Sequence, residues 1–240
     1  MNSLSQDTFF SDRIRVKQKR FGYRFSIDAI IIAFYASKIK CKTILDLGTG
    51  CGIIPLVLAD RNPDINIFGI EFQKDLAQIA SINVDDNKMK KRINIIHNDI
   101  KHLKPDMLFC PVDLVVTNPP YIKFDAGRIN PDIEKAIARH EIKITLADIL
   151  ETAYRMLQVS GKFLIIYPSQ RLADLLVQMR KFSIEPKFLQ MIHSYPDSKA
   201  QLVLIEGTKK GRPGMEIAPS LILHEKNGSY SKQIREMFYA

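Results

Sequence analysis

Residues 43–52 read Thr-Ile-Leu-Asp-Leu-Gly-Thr-Gly-Cys-Gly. The apolar, β-branched start of this stretch predicts a buried strand that ends at Leu47. Glycines at alternate positions then allow a sharp turn, and Pro55 is typical of the first turn of a helix. Free backbone N–H groups at such a helix start attract a carboxylate or a phosphate. The stretch therefore predicts a strand, a ligand-binding loop and a helix in succession.

The same alternation of strand and helix continues along the chain. Further apolar runs predict strands at residues 65–70, 93–96, 112–117, 162–167, 188–192 and 201–206. Helix-length segments lie between the first five strands, at 55–61, 73–87 and 146–157, so we predict an α/β fold with helices on both faces of a mostly parallel, seven-stranded sheet. The last two strands are separated only by turn-forming residues 194–198, which predicts an antiparallel hairpin at the sheet edge.

Length and composition exclude several classes of protein. The chain has 240 residues, 46% of them hydrophobic, and a formal net charge of +9. A chain of this length and hydrophobic content can build a core without disulfides, and its composition is unlike that of a disordered protein. The apolar run Ala29–Ala36 is too short to span a bilayer, and three scattered cysteines suit a reducing compartment. We expect a cytoplasmic monomer with one domain (1–240), made of a basic arm (1–25) and a catalytic core (26–240).

Two acidic residues follow the strands next to the glycine loop. Glu71 lies 23 residues beyond Gly48, where a carboxylate can accept both hydroxyls of a ribose, and Phe72 beside it can stack on a base. Asp99 can accept a hydrogen bond from an adenine amine, and Ile100 offers an apolar face. The glycine spacing is G-x-G-x-G, which argues against the G-x-G-x-x-G loop of dinucleotide-binding proteins.

Asn118-Pro119-Pro120-Tyr121 follows the strand at 112–117. The prolines remove two N–H donors, which leaves the carbonyl of Pro119 and the amide oxygen of Asn118 facing one spot. Two acceptors can localise the lone pair of a planar amine in the transition state, while Tyr121 stacks on the ring. Gly48, Glu71, Asp99 and Asn118 each fall just past a successive strand, so we expect all four along one edge of the sheet.

Together these motifs resemble a class I S-adenosylmethionine-dependent methyltransferase. The resemblance implies a Rossmann-like fold and direct methyl transfer from the sulfonium of S-adenosylmethionine to an amine nitrogen, with no metal. It assigns Asn118, Pro119, Pro120 and Tyr121 to catalysis, and Asn118 to cofactor binding as well. It assigns the methionine end of the cofactor to Asp46, Gly48, Thr49, Gly50 and Gly52, with Glu71, Phe72, Asp99 and Ile100 around the ribose and adenine.

Three further segments resemble the tRNA (adenine-N6) methyltransferases that act on valine tRNA beside the anticodon. They are Gln18–Ala29, Ala138–Glu141 and Gly211–Gly214. The resemblance implies a tRNA partner and N6-methyladenosine at position 37 as product. The long polar segment Lys123–Ile144 is expected to close over the target base.

Basic residues crowd the amino-terminal segment, where they alternate with aromatic residues. They are Arg13, Arg15, Lys17, Lys19, Arg20 and Arg24. This pattern suits a nucleic-acid backbone with unstacked bases, and it equally suits a solvated, partly flexible arm whose aromatic residues pack on the core. The loop Lys209–Arg212 offers a second contact with the same RNA or is only a loop. We interpret the run Lys88, Lys90, Lys91 and Arg92 as a solvated helix end.

Other functions stay open at this point. A protein glutamine N5-methyltransferase acting on release factors shares the Asn-Pro-Pro-Tyr motif, but those enzymes carry a long helical domain before the cofactor loop, and here 45 residues precede Asp46. DNA adenine and RNA guanine methylation also fit the motif, because it recognises an amine and not the sugar. A non-catalytic RNA-binding protein and a dehydrogenase are the alternatives from other classes.

Overall fold

The structure, a computed structural model, describes residues 4–10, 12–20, 24–119 and 144–239. The strands are β1 (Leu4–Phe9), β2 (Ile14–Lys19), β3 (Thr43–Leu47), β4 (Asn66–Glu71), β5 (Ile93–His97), β6 (Val112–Thr117), β7 (Leu157–Pro168), β8 (Ile184–His193), β9 (Ala200–Lys209), β10 (Glu216–Ile217) and β11 (Leu221–Ile222). The helices are α1 (Ile27–Ser37), α2 (Ile53–Arg61), α3 (Lys74–Asp86), α4 (Leu146–Met156), α5 (Leu172–Lys181) and α6 (Lys232–Tyr239).

The central sheet has the strand order β10-β8-β9-β7-β6-β3-β4-β5, and β11 also pairs with β8. Strands β5, β4, β3, β6 and β7 are parallel, whereas β9 is antiparallel to both of its neighbours, β7 and β8. We call the edge at which the parallel strands end the carboxyl edge and the opposite one the amino edge. The order of the strands reverses between β3 and β6, which is where open α/β sheets bind ligands at their carboxyl edge.

Helices cover both faces of the sheet. Helices α1, α2, α3 and α6 share one apolar cluster with one face, and α4 and α5 share a second cluster with the other face. Helix α4 begins with a capping box, in which the Thr145 hydroxyl accepts a hydrogen bond from the Asp148 N–H and the Asp148 carboxylate accepts one from the Thr145 N–H. One sheet is thus sandwiched between two helical layers.

The predicted α/β class and the antiparallel hairpin are confirmed, while the strand count differs. Strands β3 and β6 have the predicted bounds, but β7 is longer than predicted, at twelve residues. The prediction of seven strands was too low, because the two-residue strands β10 and β11 pair with the outer side of β8. Segments this short carry no alternation that a sequence reading can detect.

The basic segment at the start of the chain, predicted as an arm, includes a β-hairpin of β1 and β2. Ile14 and Val16 are fully buried, and Asn83 of α3 holds β2 by accepting from the Lys17 N–H and donating to the Lys17 carbonyl. Four of its six basic side chains form ion pairs: Arg13 with Asp60, Lys17 with Asp86, Lys19 with Asp75 and Arg24 with Asp7. The hairpin therefore packs against the core with most of its charge already paired.

Candidate active site

The carboxyl edge brings together the ends of β3, β4, β5 and β6. Gly48 follows β3 directly, Glu71 is the last residue of β4, and Asn118 follows β6. Asp99 lies two residues beyond β5. The structure thus places these four predicted site residues along one edge. Pro120, Tyr121 and all but Ile144 of the segment Lys123–Ile144 lie outside the described residues.

The glycine loop is held by backbone hydrogen bonds to β4. The N–H groups of Gly48 and Thr49 both donate to the Ile70 carbonyl, at 2.9 Å. Gly52 has a φ of 85°, a left-handed conformation that favours glycine, and it precedes the first residue of α2. A Cβ built on Gly48, which also has a positive φ, meets no atom within 4 Å. The loop therefore leaves open space beside Gly48 for a ligand.

Glu71 closes this loop from the end of β4. One carboxylate oxygen accepts from the Gly50 N–H at 2.9 Å and the other from the Gln73 N–H at 2.8 Å. A carboxylate has about four lone-pair sites, so both oxygens keep acceptor capacity for ribose hydroxyls. Glu71 thus has a structural role that the sequence did not predict, in addition to its predicted contact with a ligand.

Asp46 is fully buried at the centre of the sheet, and no described residue forms a well-oriented hydrogen bond with either of its carboxylate oxygens. Burial raises the pKa of Asp46 to about 7; the nearby Thr49 hydroxyl opposes the rise and the Glu71 charge adds to it. The Thr49 hydroxyl is likewise buried, and no described residue forms a well-oriented hydrogen bond with it. Buried polar groups without partners are rare, and three unpaired oxygens beside an open loop fit a polar, cationic ligand group.

Asn118 lies at the same carboxyl edge, directly after β6. Its amide oxygen is enclosed and has no hydrogen-bond partner in the described part of the chain, and Pro119 is buried beside it. The preceding Thr117 hydroxyl donates to the Leu47 carbonyl at 2.9 Å. Since Leu47 precedes Gly48, this bond fixes the position of Asn118 relative to the glycine loop.

The predicted adenine-binding residues lie around the end of β5. Asp99 caps a short 3-10 turn by accepting from the Lys101 N–H at 3.0 Å, and its side chain is only 17% exposed. Phe72 is half-exposed, and its carbonyl lies 3.0 Å from the His97 Nε2. Ile100 is buried in the core. Phe72 is thus accessible to a base, whereas Ile100 is not.

Sequence reasoning missed two residues that shape this site. A Cβ on Gly69 of β4 would lie 2.9 Å from the Thr49 hydroxyl, so only glycine leaves room for Thr49 there. Asn83 donates to the Cys51 carbonyl at 2.9 Å and thereby ties the glycine loop to α3 and the hairpin. An isolated glycine inside a strand and a polar residue on an apolar helix face are the signals that identify such positions.

These residues fit S-adenosylmethionine. The unpaired acceptors of Asp46 and Thr49 suit a cationic group such as its ammonium. The N–H groups of Gly48, Thr49, Gly50 and Gly52 already donate within the protein, so the loop offers the ligand space rather than these donors. Glu71 has remaining acceptor capacity for ribose hydroxyls, while Phe72 follows β4 and Asp99 follows β5, where the sequence predicts the adenine. The enclosed Asn118 oxygen is available to a substrate amine.

Comparison with known proteins agrees with this fold. The model of the methyltransferase small domain family matches residues 29–183. The tRNA1(Val) (adenine(37)-N6)-methyltransferase of Porphyromonas gingivalis is 28% identical over 98% of this chain and 96% of its own length. The protein of the same name from Parabacteroides distasonis is 30% identical over 85% of this chain and 84% of its own length.

Solved structures share the fold. A predicted O-methyltransferase from Agrobacterium tumefaciens has a TM-score of 0.69 at 20% identity, over 88% of this chain and 94% of that one. TYW2 from P. horikoshii, in a complex with MeSAdo, has a TM-score of 0.62 at 12% identity, over 88% and 73%. The chain belongs to the methyltransferase small domain family and is an S-adenosylmethionine-dependent methyltransferase.

Proposed function

We propose that the protein methylates the exocyclic N6 amine of adenosine 37 in valine tRNA, next to the anticodon. The observation that carries the proposal is the enclosed amide oxygen of Asn118, unpaired among the described residues and fixed to the glycine loop through Thr117. The curated relatives that match almost the whole chain are named for this reaction, which supports the same substrate.

An adenine amine is a weak nucleophile because its lone pair is delocalised into the ring. The Asn118 oxygen would accept one amine hydrogen and the Pro119 carbonyl the other, which favours a localised lone pair and stabilises the positive charge that develops on nitrogen. Pro119 has no N–H, so it places no competing donor beside the amine.

S-adenosylmethionine, when bound, supplies the methyl group on its sulfonium. Asp46, Thr49 and the glycine loop would hold its methionine end, and Glu71, Phe72 and Asp99 its ribose and adenine. The nitrogen lone pair would form the new bond to the methyl carbon as the carbon–sulfur bond breaks and its electron pair goes to sulfur, which leaves S-adenosylhomocysteine. The resulting ammonium would lose its proton to water. The enzyme's contribution is therefore positioning and charge stabilisation.

Fewer basic side chains of the amino-terminal segment are free to contact tRNA than the sequence predicts. Arg15 and Arg20 are exposed, and neither forms an ion pair within the described ranges. The other four predicted contacts would each have to exchange a carboxylate for a phosphate. We therefore expect Arg15 and Arg20 to carry most of whatever RNA affinity the hairpin supplies.

Compartment, assembly and domain organisation remain predictions. No helix in the described ranges combines the length and the apolar character that a membrane-spanning segment needs. We propose that the enzyme acts in the cytoplasm, as a monomer and as a single catalytic domain.

The test is transfer of radiolabelled methyl from S-adenosylmethionine to a valine tRNA transcript, followed by digestion to nucleosides. We expect label in N6-methyladenosine. A transcript in which adenosine 37 is replaced by guanosine is the matched control and should stay unlabelled. Label in the control tRNA, or only in a glutamine of an added release factor, would contradict the proposal.

A further inference from the structure

Three chain segments at the amino edge carry ten basic and no acidic side chains. They are residues 38–42 ahead of β3, residues 88–92 ahead of β5 and residues 209–212 at the end of β9. The Lys42 carbonyl accepts from the Asn66 N–H and the Arg92 carbonyl from the Ile67 N–H, both at 2.8 Å. The first two segments therefore flank the start of β4, about 10 Å apart across two strand spacings.

Most of these charges have no carboxylate partner. Among the described residues, the ten form one ion pair, Lys90 with Asp85 at 3.4 Å, in which both side chains are exposed. Arg92 instead donates to the carbonyls of Ala59 and Asn62, and this bonding holds the second segment in place. The arrangement is opposite to that of the hairpin, where four of six basic side chains are paired.

The acidic groups facing these segments are few and mostly engaged. Asp86 pairs with Lys17, and Asp113 accepts from the backbone N–H groups of Lys42 and Thr43. Asp64 is exposed in the turn before β4. The local potential is therefore positive.

A cleft of about 370 Å³ lies beside the second segment. Three cations (Lys90, Lys91 and Arg92) and one carboxylate line it, that of Asp85, which pairs with Lys90. Phe109 also lines it and is 81% exposed, with its ring centroid 5.2 Å from that of the buried Phe68. An exposed aromatic ring beside an excess of cations, of which Lys91 has no ion-pair partner among the described residues, is the combination that binds single-stranded nucleic acid.

We propose that residues 38–42, residues 88–92 and Phe109 form a second RNA-binding surface, the amino-edge surface. Its lysines hold backbone phosphates, and an unpaired base stacks on Phe109. This inference rests on the proposed function, in which RNA is the substrate. Because β3 spans five residues, the surface lies roughly 16 Å from the carboxyl edge. Binding here sets RNA affinity and leaves the chemical step unchanged.

The experiment compares the wild-type protein with the double variant Lys40→Gln, Lys91→Gln in binding to fluorescent valine tRNA over a series of salt concentrations. We expect weaker binding and a fall of about two in the slope of log Kd against log salt, because each substitution leaves one phosphate without its lysine. The KM for tRNA should rise with kcat unchanged, and S-adenosylhomocysteine should bind as to wild type.

The matched control is Lys226→Gln, Lys232→Gln, which removes the same net charge. These lysines are 84% and 83% exposed, and each lies 3.9 Å from a carboxylate, of Asp197 and Glu236 respectively. Since both double variants remove two positive charges, long-range electrostatics are matched. We expect the control to keep the wild-type slope.

Phe109→Ala tests the stacking interaction separately. We expect affinity for a single-stranded tRNA loop to fall about tenfold, with an unchanged melting temperature because the ring is mostly exposed. If wild type methylates tRNA while the Lys40, Lys91 variant keeps the wild-type Kd and slope, the amino-edge surface is wrong and the proposed function stands. If wild type neither binds nor methylates tRNA, the proposed function fails first.

Discussion

The carboxyl and amino edges of one sheet differ in the polar groups that they leave without partners among the described residues. At the carboxyl edge these groups are the buried acceptors of Asp46, Thr49 and Asn118. The described loops there (48–52, 71–74, 97–103, 169–171 and 194–199) hold four basic and three acidic side chains. At the amino edge the unpartnered groups are exposed ammonium ions.

The two edges are therefore suited to different ligands, a small molecule at the carboxyl edge and a polyanion at the amino edge. Buried acceptors act over hydrogen-bond distances on a small ligand, and their unpaired state costs free energy until the ligand arrives. Exposed cations act over about a Debye length on any polyanion and weaken with salt. Substitutions at the carboxyl edge should therefore change kcat or cofactor binding, whereas substitutions at the amino edge should change RNA affinity.

The largest effect is expected for Asn118→Ala. Removing one acceptor that acts on developing charge should lower kcat about 10²-fold to 10³-fold, with the tRNA Kd unchanged. Single-turnover methylation and tRNA binding by anisotropy measure the two quantities separately. An unchanged kcat would contradict the assignment of the chemical step to the carboxyl edge, because the enclosed Asn118 oxygen would then have no role in it.

Asp46→Asn should change the pH dependence of stability. With a folded-state pKa of about 7, wild-type Asp46 binds a proton in the folded state between about pH 4 and 7 that it loses in the unfolded state. The cofactor-free protein therefore loses about 1.4 kcal/mol of this contribution for each pH unit rising through that window, and nothing further above it.

The asparagine variant lacks this titration, so its stability relative to wild type should increase from pH 4 to pH 7. Urea unfolding at several pH values checks the trend, since any fixed cost of the amide cancels. S-adenosylhomocysteine should raise the melting temperature of wild type more than that of the variant. A pH-independent difference between the two proteins would show that Asp46 is already ionised or solvated.

Gly69→Ala tests whether cofactor binding needs the space that Gly69 leaves for Thr49. The added methyl group would lie 2.8 Å from Ile95 Cδ1 and 2.9 Å from the Thr49 hydroxyl. Overpacking of this kind costs about 1 to 3 kcal/mol, and displacement of Thr49 should weaken cofactor binding as well. Thermal melting and calorimetric titration measure the two effects. Cofactor affinity equal to wild type would exclude Thr49 from the ligand site.

The smallest effect is expected for Lys17→Gln, Lys19→Gln in the hairpin. Both lysines pair with aspartates of α3, at 2.8 and 3.2 Å. Removing these ion pairs should cost below about 1 kcal/mol per pair and reduce the salt slope for tRNA by less than the Lys40, Lys91 variant does. An equal or larger reduction would transfer the RNA-binding role from the amino edge to the hairpin.

The fold was predictable where periodicity alone decides it. Strands β3 and β6 are short, mostly apolar runs and helix α4 is amphipathic, and their predicted bounds agree with the structure to within one residue. The hairpin was missed although Ile14 and Val16 alternate with Arg15 and Lys17, because the charges suggested a solvated arm. The aspartates of α2 and α3 that pair with such charges are distant in sequence, so no local pattern reveals them.

The candidate site was predictable at the level of which strand ends carry chemistry. Gly48, Glu71 and Asn118 lie on one edge because parallel strands align their carboxyl ends. The hydrogen bond from Gly50 to Glu71 and the space that Gly69 provides for Thr49 depend on contacts between strands. Such contacts are determined by packing and have no local signature. The run at 88–92, interpreted as a solvated helix end, gained its proposed RNA-binding role only from its position beside residues 38–42.

The position of β9 between β7 and β8 affects how the chain folds during synthesis. Strand β9 ends at Lys209, some forty residues after β7 ends, and its Val203 and Ile205 complete the same core as α4 and α5. A growing chain emerges from the ribosome with its amino terminus first, so β7 keeps an unpaired edge for on the order of seconds. Unpaired apolar strand edges promote aggregation. We expect nascent chains shorter than about 210 residues to need chaperone protection, while the cofactor loop is already complete.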